Sequence, residues 1–196
     1  YHRNLGILPK FKKNFYTKHV VYKEVRYHHI LENLLEKDKD IKVILLVRDP
    51  VEVINSWVNS PNEFDPSWDI NEQLVHGNLK NCGREENFYG LDAWVRATKL
   101  FEKLRMNYSS RTFLINYNNL VNDTNSIIQK IFEHCKLDLS YETSKFLEES
   151  SKNSVEGAYS VFKGGKKLQI TLNMSQIDII TQHVNEAGLS QYLKAR

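Results

Sequence analysis

An α/β fold with parallel strands is the architecture this sequence predicts, on three observations. Short apolar runs of strand length alternate with segments whose apolar residues recur at helical spacing. The run Ile41 to Val47 (IKVILLV) is continuous in β-branched residues and Leu, the pattern of a parallel strand covered on both faces. From that run the chain passes directly into a helix start at Arg48-Asp49-Pro50, where Asp suits the N-cap and Pro the first helical position.

The elements follow in order. His19 to Val25 (HVVYKEV) reads as a strand, and His29 to Lys37 as a helix in which Ile30, Leu31, Leu34 and Leu35 share a face. After the strand Ile41–Val47 and the helix opened by Asp49, residues 60–87 are polar and rich in Asn, Pro and Gly. They read as a long excursion with one short helix inside, of the kind that forms lids and binding loops. Leu91 to Met106 is a long helix and Thr112 to Asn116 a third strand. Helices over Ser126–His134 and Tyr141–Glu149 come next. A loop with Lys163-Gly164-Gly165-Lys166-Lys167 then leads to a last helix, Ser175 to Glu186, with Ser175 as N-cap and Gly188 as stop.

Composition narrows the class. At 196 residues, with 41% hydrophobic and 26% charged content, the chain is sized for one globular domain with a substantial core. A net charge of only +3, with basic and acidic residues intermixed, argues against a nucleic-acid partner, which calls for a concentrated basic stripe. No apolar run approaches the roughly 18 residues that span a bilayer. That favours the cytoplasm slightly, with the Golgi lumen open if an anchor precedes Tyr1. Two cysteines, Cys82 and Cys135, make neither a disulfide framework nor a zinc set. Nothing in the sequence fixes an oligomeric state.

The chemistry concentrates in KVILLVRDPVEVINSW, Lys42 to Trp57. Open α/β sheets bind ligands beyond the carboxyl ends of their strands, and this strand ends at Arg48, a planar, permanently charged fork suited to phosphate oxygens. Ser56, on the second turn of the helix, offers a hydroxyl donor. Two readings stand side by side: an anion site, or an Arg48 paired with a nearby carboxylate and a Ser56 used for packing. The Lys163–Lys167 loop divides the same way. Two glycines beside three lysines let backbone approach an anion closely, and they equally make a solvated basic turn.

Lys42–Trp57 resembles the 3′-phosphate-binding segment of sulfotransferases that use 3′-phosphoadenosine 5′-phosphosulfate (PAPS), in which an Arg after a hydrophobic strand is followed eight residues later by Ser. Leu46 to Pro50 matches the L-V-R-D-P of the carbohydrate branch. Further resemblances follow in family order: Val21 to Arg26 (VYKEVR), Tyr89 to Trp94 (YGLDAW), Phe113 to Asn122 (FLINYNNLVN) and Lys163-Gly164. They cover about residues 19–187. The resemblance implies a P-loop NTPase-like three-layer fold and PAPS as donor without a metal. It implies donor contacts from Arg48, Ser56, Tyr117, Lys163 and Gly164, although packing at a strand end accounts for Tyr117 equally well. The departures are Asn116 where the family has Arg, Asn118 and Asn119 where it has acids, and Phe162 in place of the Arg of Arg-Lys-Gly.

The glycine-rich turn that holds the donor's 5′ end in the family is not found in residues 1–18, which contain a single glycine, Gly6. A single sulfotransferase-like domain, incomplete at its N-terminus by a strand, turn and helix of about 20 to 60 residues, is therefore expected. The implied reaction moves a sulfuryl group from PAPS to a hydroxyl or amine of an acceptor, with a carbohydrate among the candidates. Glu24, Lys23 and His28 are the candidate catalytic groups, while an ordinary Glu24–Arg26 ion pair accounts for part of the same cluster. Trp57, Trp68 and Phe88 offer ring faces to an acceptor or anchor the excursion. Two other functions fit the fold: a non-catalytic 3′-phosphonucleotide-binding module and a nucleotide-kinase-like phosphotransferase.

Overall fold

A computed structural model describes residues 18–84, 87–152 and 169–195 of the chain. Two parallel strands lie at the centre, β1 (Val43–Val47) and β2 (Thr112–Asn116), in register from Val43 against Thr112 to Val47 against Asn116. Helix α1 (Leu31–Lys37), preceded by a 3-10 turn over His28–Ile30, leads into β1. Helix α2 (Pro50–Val58) leaves β1, and the short α3 (Ile70–Gln73) and α4 (Asn78–Asn81) punctuate the excursion. The 17-residue α5 (Leu91–Asn107) then leads into β2. After β2 come α6 (Tyr117–Asn122), α7 (Thr124–Cys135), α8 (Tyr141–Lys152) and α9 (Met174–Glu186), with a final 3-10 turn at Ser190–Tyr192.

The α/β expectation holds, with the junction after β1 formed as its residues dictate. Asp49 caps α2 by accepting the Glu52 N–H at 2.9 Å, with Pro50 at the first helical position, and such a cap contributes about 1 kcal/mol. The α2 face carrying Val51 and Ile54 meets Leu45 and Val47 of β1, Leu104 of α5, and Ile180 and Val184 of α9 in one buried cluster.

Four local expectations need correction. Residues 19–25 form no strand. Among the described residues no strand lies beside them, so Val20 and Val21 are 86% and 89% exposed. Instead of entering a ladder, the N–H groups of Val25, Arg26 and Tyr27 all turn onto the Glu24 carboxylate. Nor is β1 covered on both faces: Leu45 and Val47 are buried while Leu46 is 46% exposed. The last helix begins one residue earlier than Ser175, because Asn173 and Gln176 form a reciprocal capping box. A helix also follows β2 immediately, with Asn116 as N-cap bonding the Asn118 N–H at 2.9 Å.

The excursion is tightly fastened. Its chain doubles back so that the Leu91 and Asp92 N–H groups donate to the Leu74 and Val75 carbonyls at 3.0 and 2.9 Å. Both flanking turns need glycine: a Cβ on Gly77 (φ 59°) would lie 2.7 Å from the Tyr89 carbonyl oxygen, and one on Gly90 (φ 88°) 2.7 Å from that of Val75. Asn81 bridges the gap by donating to the carbonyls of His76 and Tyr89. Asp92 then binds His76 at 2.6 Å and His183 of α9 at 2.9 Å.

One buried amide ties residues 169–171 to α2. Asn55, 1% exposed, donates to the Gln169 carbonyl at 3.0 Å and accepts from the N–H and hydroxyl of Thr171 at 2.8 and 3.1 Å. Removing it takes away three part-buried hydrogen bonds, worth about 0.5–1.5 kcal/mol each. Asn55→Leu is therefore expected to lower the urea midpoint by a loss of that order or more with an unchanged denaturant slope, as followed by far-ultraviolet dichroism.

Candidate functional site

The parallel register determines what meets beyond the strand ends. Since Val47 pairs with Asn116, the next residues, Arg48 and Tyr117, leave the sheet side by side. The Arg48 guanidinium lies 4.8 Å from the centre of the Tyr117 ring, a cation–π contact. Its carbonyl accepts the Trp94 indole N–H at 3.0 Å, which fixes the strand end against α5. Two residues that the sequence nominates separately thus form one structure.

Arg48 also takes the carboxylate that the alternative reading anticipates. Its Nε donates to Glu52 Oε2 at 2.9 Å, one helical turn along α2. Ser56 follows another turn on the same row and is exposed, so Arg48, Glu52 and Ser56 share one flank of the helix. The other oxygen of Glu52 accepts from the Lys194 ammonium, and the Lys194 backbone N–H donates to Asp49 Oδ2 at 2.8 Å. Burial pushes the Glu52 carboxyl up, but Lys194 and Arg48 outweigh it and hold the group below its ordinary value.

Lys163 and Gly164 lie outside the described residues. The chain that follows them is anchored beside the site, since residues 169–171 bind Asn55, the neighbour of Ser56, and Asn59 donates to the Thr171 hydroxyl at 2.7 Å.

A second neighbourhood surrounds an open cleft of about 320 Å³ lined by Val25, Arg26, Glu63, Phe88 and Tyr89. Glu63 accepts from the Tyr89 hydroxyl at 2.6 Å and pairs with Lys80 at 2.7 Å, and those two partners lower its pKa. The other aromatics divide. Trp57 is buried against Phe64 and Tyr89 and Trp68 packs on Phe64, so these two anchor the excursion, whereas Phe88 lines the cleft.

The three candidate catalytic residues border this cleft in sequence. Glu24 caps the turn over Val25–Tyr27, and those backbone donors, Tyr27 foremost, lower its pKa to about 2. His28 packs edge-on against Phe88 and Phe101 at 5.1 and 5.3 Å, and its Nδ1 is buried without a hydrogen-bond partner among the described residues. Burial lowers its pKa, against a raising influence from Glu24. Lys23 is exposed. Among the described residues, no group of three or more His, Cys, Asp or Glu is arranged to hold a metal, and no helix is long and apolar enough to cross a membrane.

Glu52 stands four residues after Arg48, the spacing of a helical ion pair, and supplies the carboxylate of the alternative reading. Lys194, 142 residues from its partner, left no signal in the sequence.

The Sulfotransferase family matches residues 7–141, well over half of the chain, and the chain belongs to that family. Among solved structures, mouse sulfotransferase SULT7A1 complexed with PAP shares the fold with a TM-score of 0.54 at 16% identity, over 86% of this chain and 66% of that one. The likeness is one of fold, a P-loop-like α/β domain with a parallel sheet and flanking helices, and this chain spans just under two thirds of that protein's length. No curated protein sequence matches the chain.

Acid titration by NMR is expected to place the Glu24 midpoint near 2 and that of His28 below the ordinary 6.5. In both cases the unfolded chain takes up protons at a higher pH than the folded one. Each group therefore withdraws stability as pH falls, His28 from about 6.5 downward and Glu24 from the ordinary carboxylate range toward its own low value.

Proposed function

We propose that this chain binds the 3′-phosphate side of PAPS and serves sulfuryl transfer from that donor to a hydroxyl or amine of an acceptor. The observation that carries the reading is Arg48 at the carboxyl end of β1 with its guanidinium over Tyr117. A flat ring and a fixed cation together suit a nucleotide bearing a phosphate, and Arg48 keeps 28% of its side chain open to solvent. Ser56, on the same flank of α2, would add a hydroxyl donor to the 3′-phosphate. Lys163 and Gly164 would add a cation and an open stretch of backbone to that phosphate. The donor supplies an activated sulfuryl group. The chain's own work is to hold the nucleotide and acceptor in line and to take the acceptor's proton.

For that proton the preferred group is His28. Burial favours its neutral form, which leaves a ring nitrogen free to take a proton, at some loss of basicity. Glu24, with three backbone donors on its carboxylate, is a poor base and acts in shaping the turn. Lys23 would contribute positive charge beside the cleft. The acceptor would enter between Phe88, Tyr89 and Arg26, with a sugar among the acceptors that such a lining suits.

Calorimetric titration tests the donor site. Wild type is expected to bind 3′,5′-diphosphoadenosine more tightly than 5′-AMP. Arg48→Ala should remove most of that preference, about ten- to a hundred-fold, with little change for 5′-AMP. Equal wild-type affinity for the two nucleotides would refute the donor site. Binding without any transfer to hydroxyl or amine acceptors would favour a binding module.

A further inference from the structure

Resting on this reading of the donor site, we infer that Lys194 is a second cation of the 3′-phosphate site, held there by Glu52. The inference starts from a charge count. Arg48 stands beside two carboxylates, Glu52 and the buried Asp49, so without a further cation the strand end carries a net negative charge and repels a phosphate. Lys194, on the other oxygen of Glu52 and on Asp49 through its backbone, brings the four groups to neutrality and places a second cation on the open side.

The geometry agrees with the count. Both cations meet on one carboxylate, so their nitrogens lie no farther apart than that carboxylate's width plus two hydrogen bonds, about 8 Å. A phosphate can span that separation. Exposure orders the groups as a ligand site requires: the Glu52 side chain is 10% exposed, those of Arg48 and Lys194 28% and 39%. The anion is the covered base and the cations form the open side.

Lys194 is delivered there by a firm mooring. Its backbone N–H binds Asp49, and Tyr192, two residues earlier, is buried with its ring edge-on to Trp94 at 6.2 Å. Trp94 is the residue whose indole holds the Arg48 carbonyl, so one side chain positions both cations. Glu52 is accordingly a positioning residue, orienting Arg48 with one oxygen and Lys194 with the other.

The test uses Lys194→Met and Lys194→Arg beside wild type, with 3′,5′-diphosphoadenosine and 5′-AMP as titrants. Methionine keeps much of the aliphatic stem and leaves the backbone bond to Asp49 intact, so the thermal midpoint of this variant should stay close to that of wild type. Lys194→Met is expected to weaken the diphosphate about ten-fold and leave 5′-AMP unchanged, the scale of one charge-assisted contact. Lys194→Arg should keep most of the preference. A wild-type preference surviving in Lys194→Met overturns the inference while leaving the Arg48 site standing. Equal losses for both nucleotides overturn it too, because a merely structural clasp would act on both alike. A folded Lys194→Arg without the preference is a third contrary result. If wild type itself shows no preference, the donor-site reading falls and this inference with it.

Discussion

Everything placed beyond the end of β1 depends on the two oxygens of one buried carboxylate. Asp49 is fully buried, and each oxygen accepts a backbone N–H: Oδ1 that of Glu52, Oδ2 that of Lys194. The first bond starts α2 at once after the strand, and this is what brings Glu52 back one turn under Arg48. The second draws a distant part of the chain to the same point. A carboxylate out of water is costly unless its lone pairs are filled, and here filling them builds the junction. Arg48, Glu52, Lys194 and Ser56 inherit their positions from it.

How much of this was legible depended on how local the determining contacts are. The β1–α2 junction could be read because strand, cap and Pro occupy consecutive residues, and β2 because its five residues are apolar and well bounded. The adjacency of Arg48 and Tyr117 was nominated residue by residue but not foreseen as a contact, since it depends on a parallel register that no sequence spacing states. Residues 19–25 failed for a related reason. Their pattern is that of a strand, but a strand exists only beside another, and Glu24 offers the backbone a local alternative. At Asn173 a reciprocal box with Gln176 prevailed over the simpler Ser175 cap. Lys194 was beyond reach, because its role comes from a clasp across the whole chain.

The exchange of residues against the family pattern acquires a physical meaning in the same way. Asn116, standing where an Arg is usual, caps α6 with its side chain and so turns the chain directly after β2. A side chain committed to a backbone N–H is not free to meet a ligand. Under the proposed donor site, the charge that the described residues bring to this strand end would rest on Arg48 and on what gathers around Glu52.

The glycine pair of the excursion has a consequence for how the cleft can vary. At Gly77 and Gly90 two stretches of main chain touch with no room for even a methyl group between them. The wall behind Phe88 and Tyr89 is thus made largely of backbone, pinned by the Asn81 side chain. Arg26 and Phe88 line the cleft outside that backbone contact, so exchanging them is expected to leave the frame in place. Replacing either glycine would break the frame itself. Around one cleft the protein thus sets side chains that stand clear of the backbone contact beside glycines that form it.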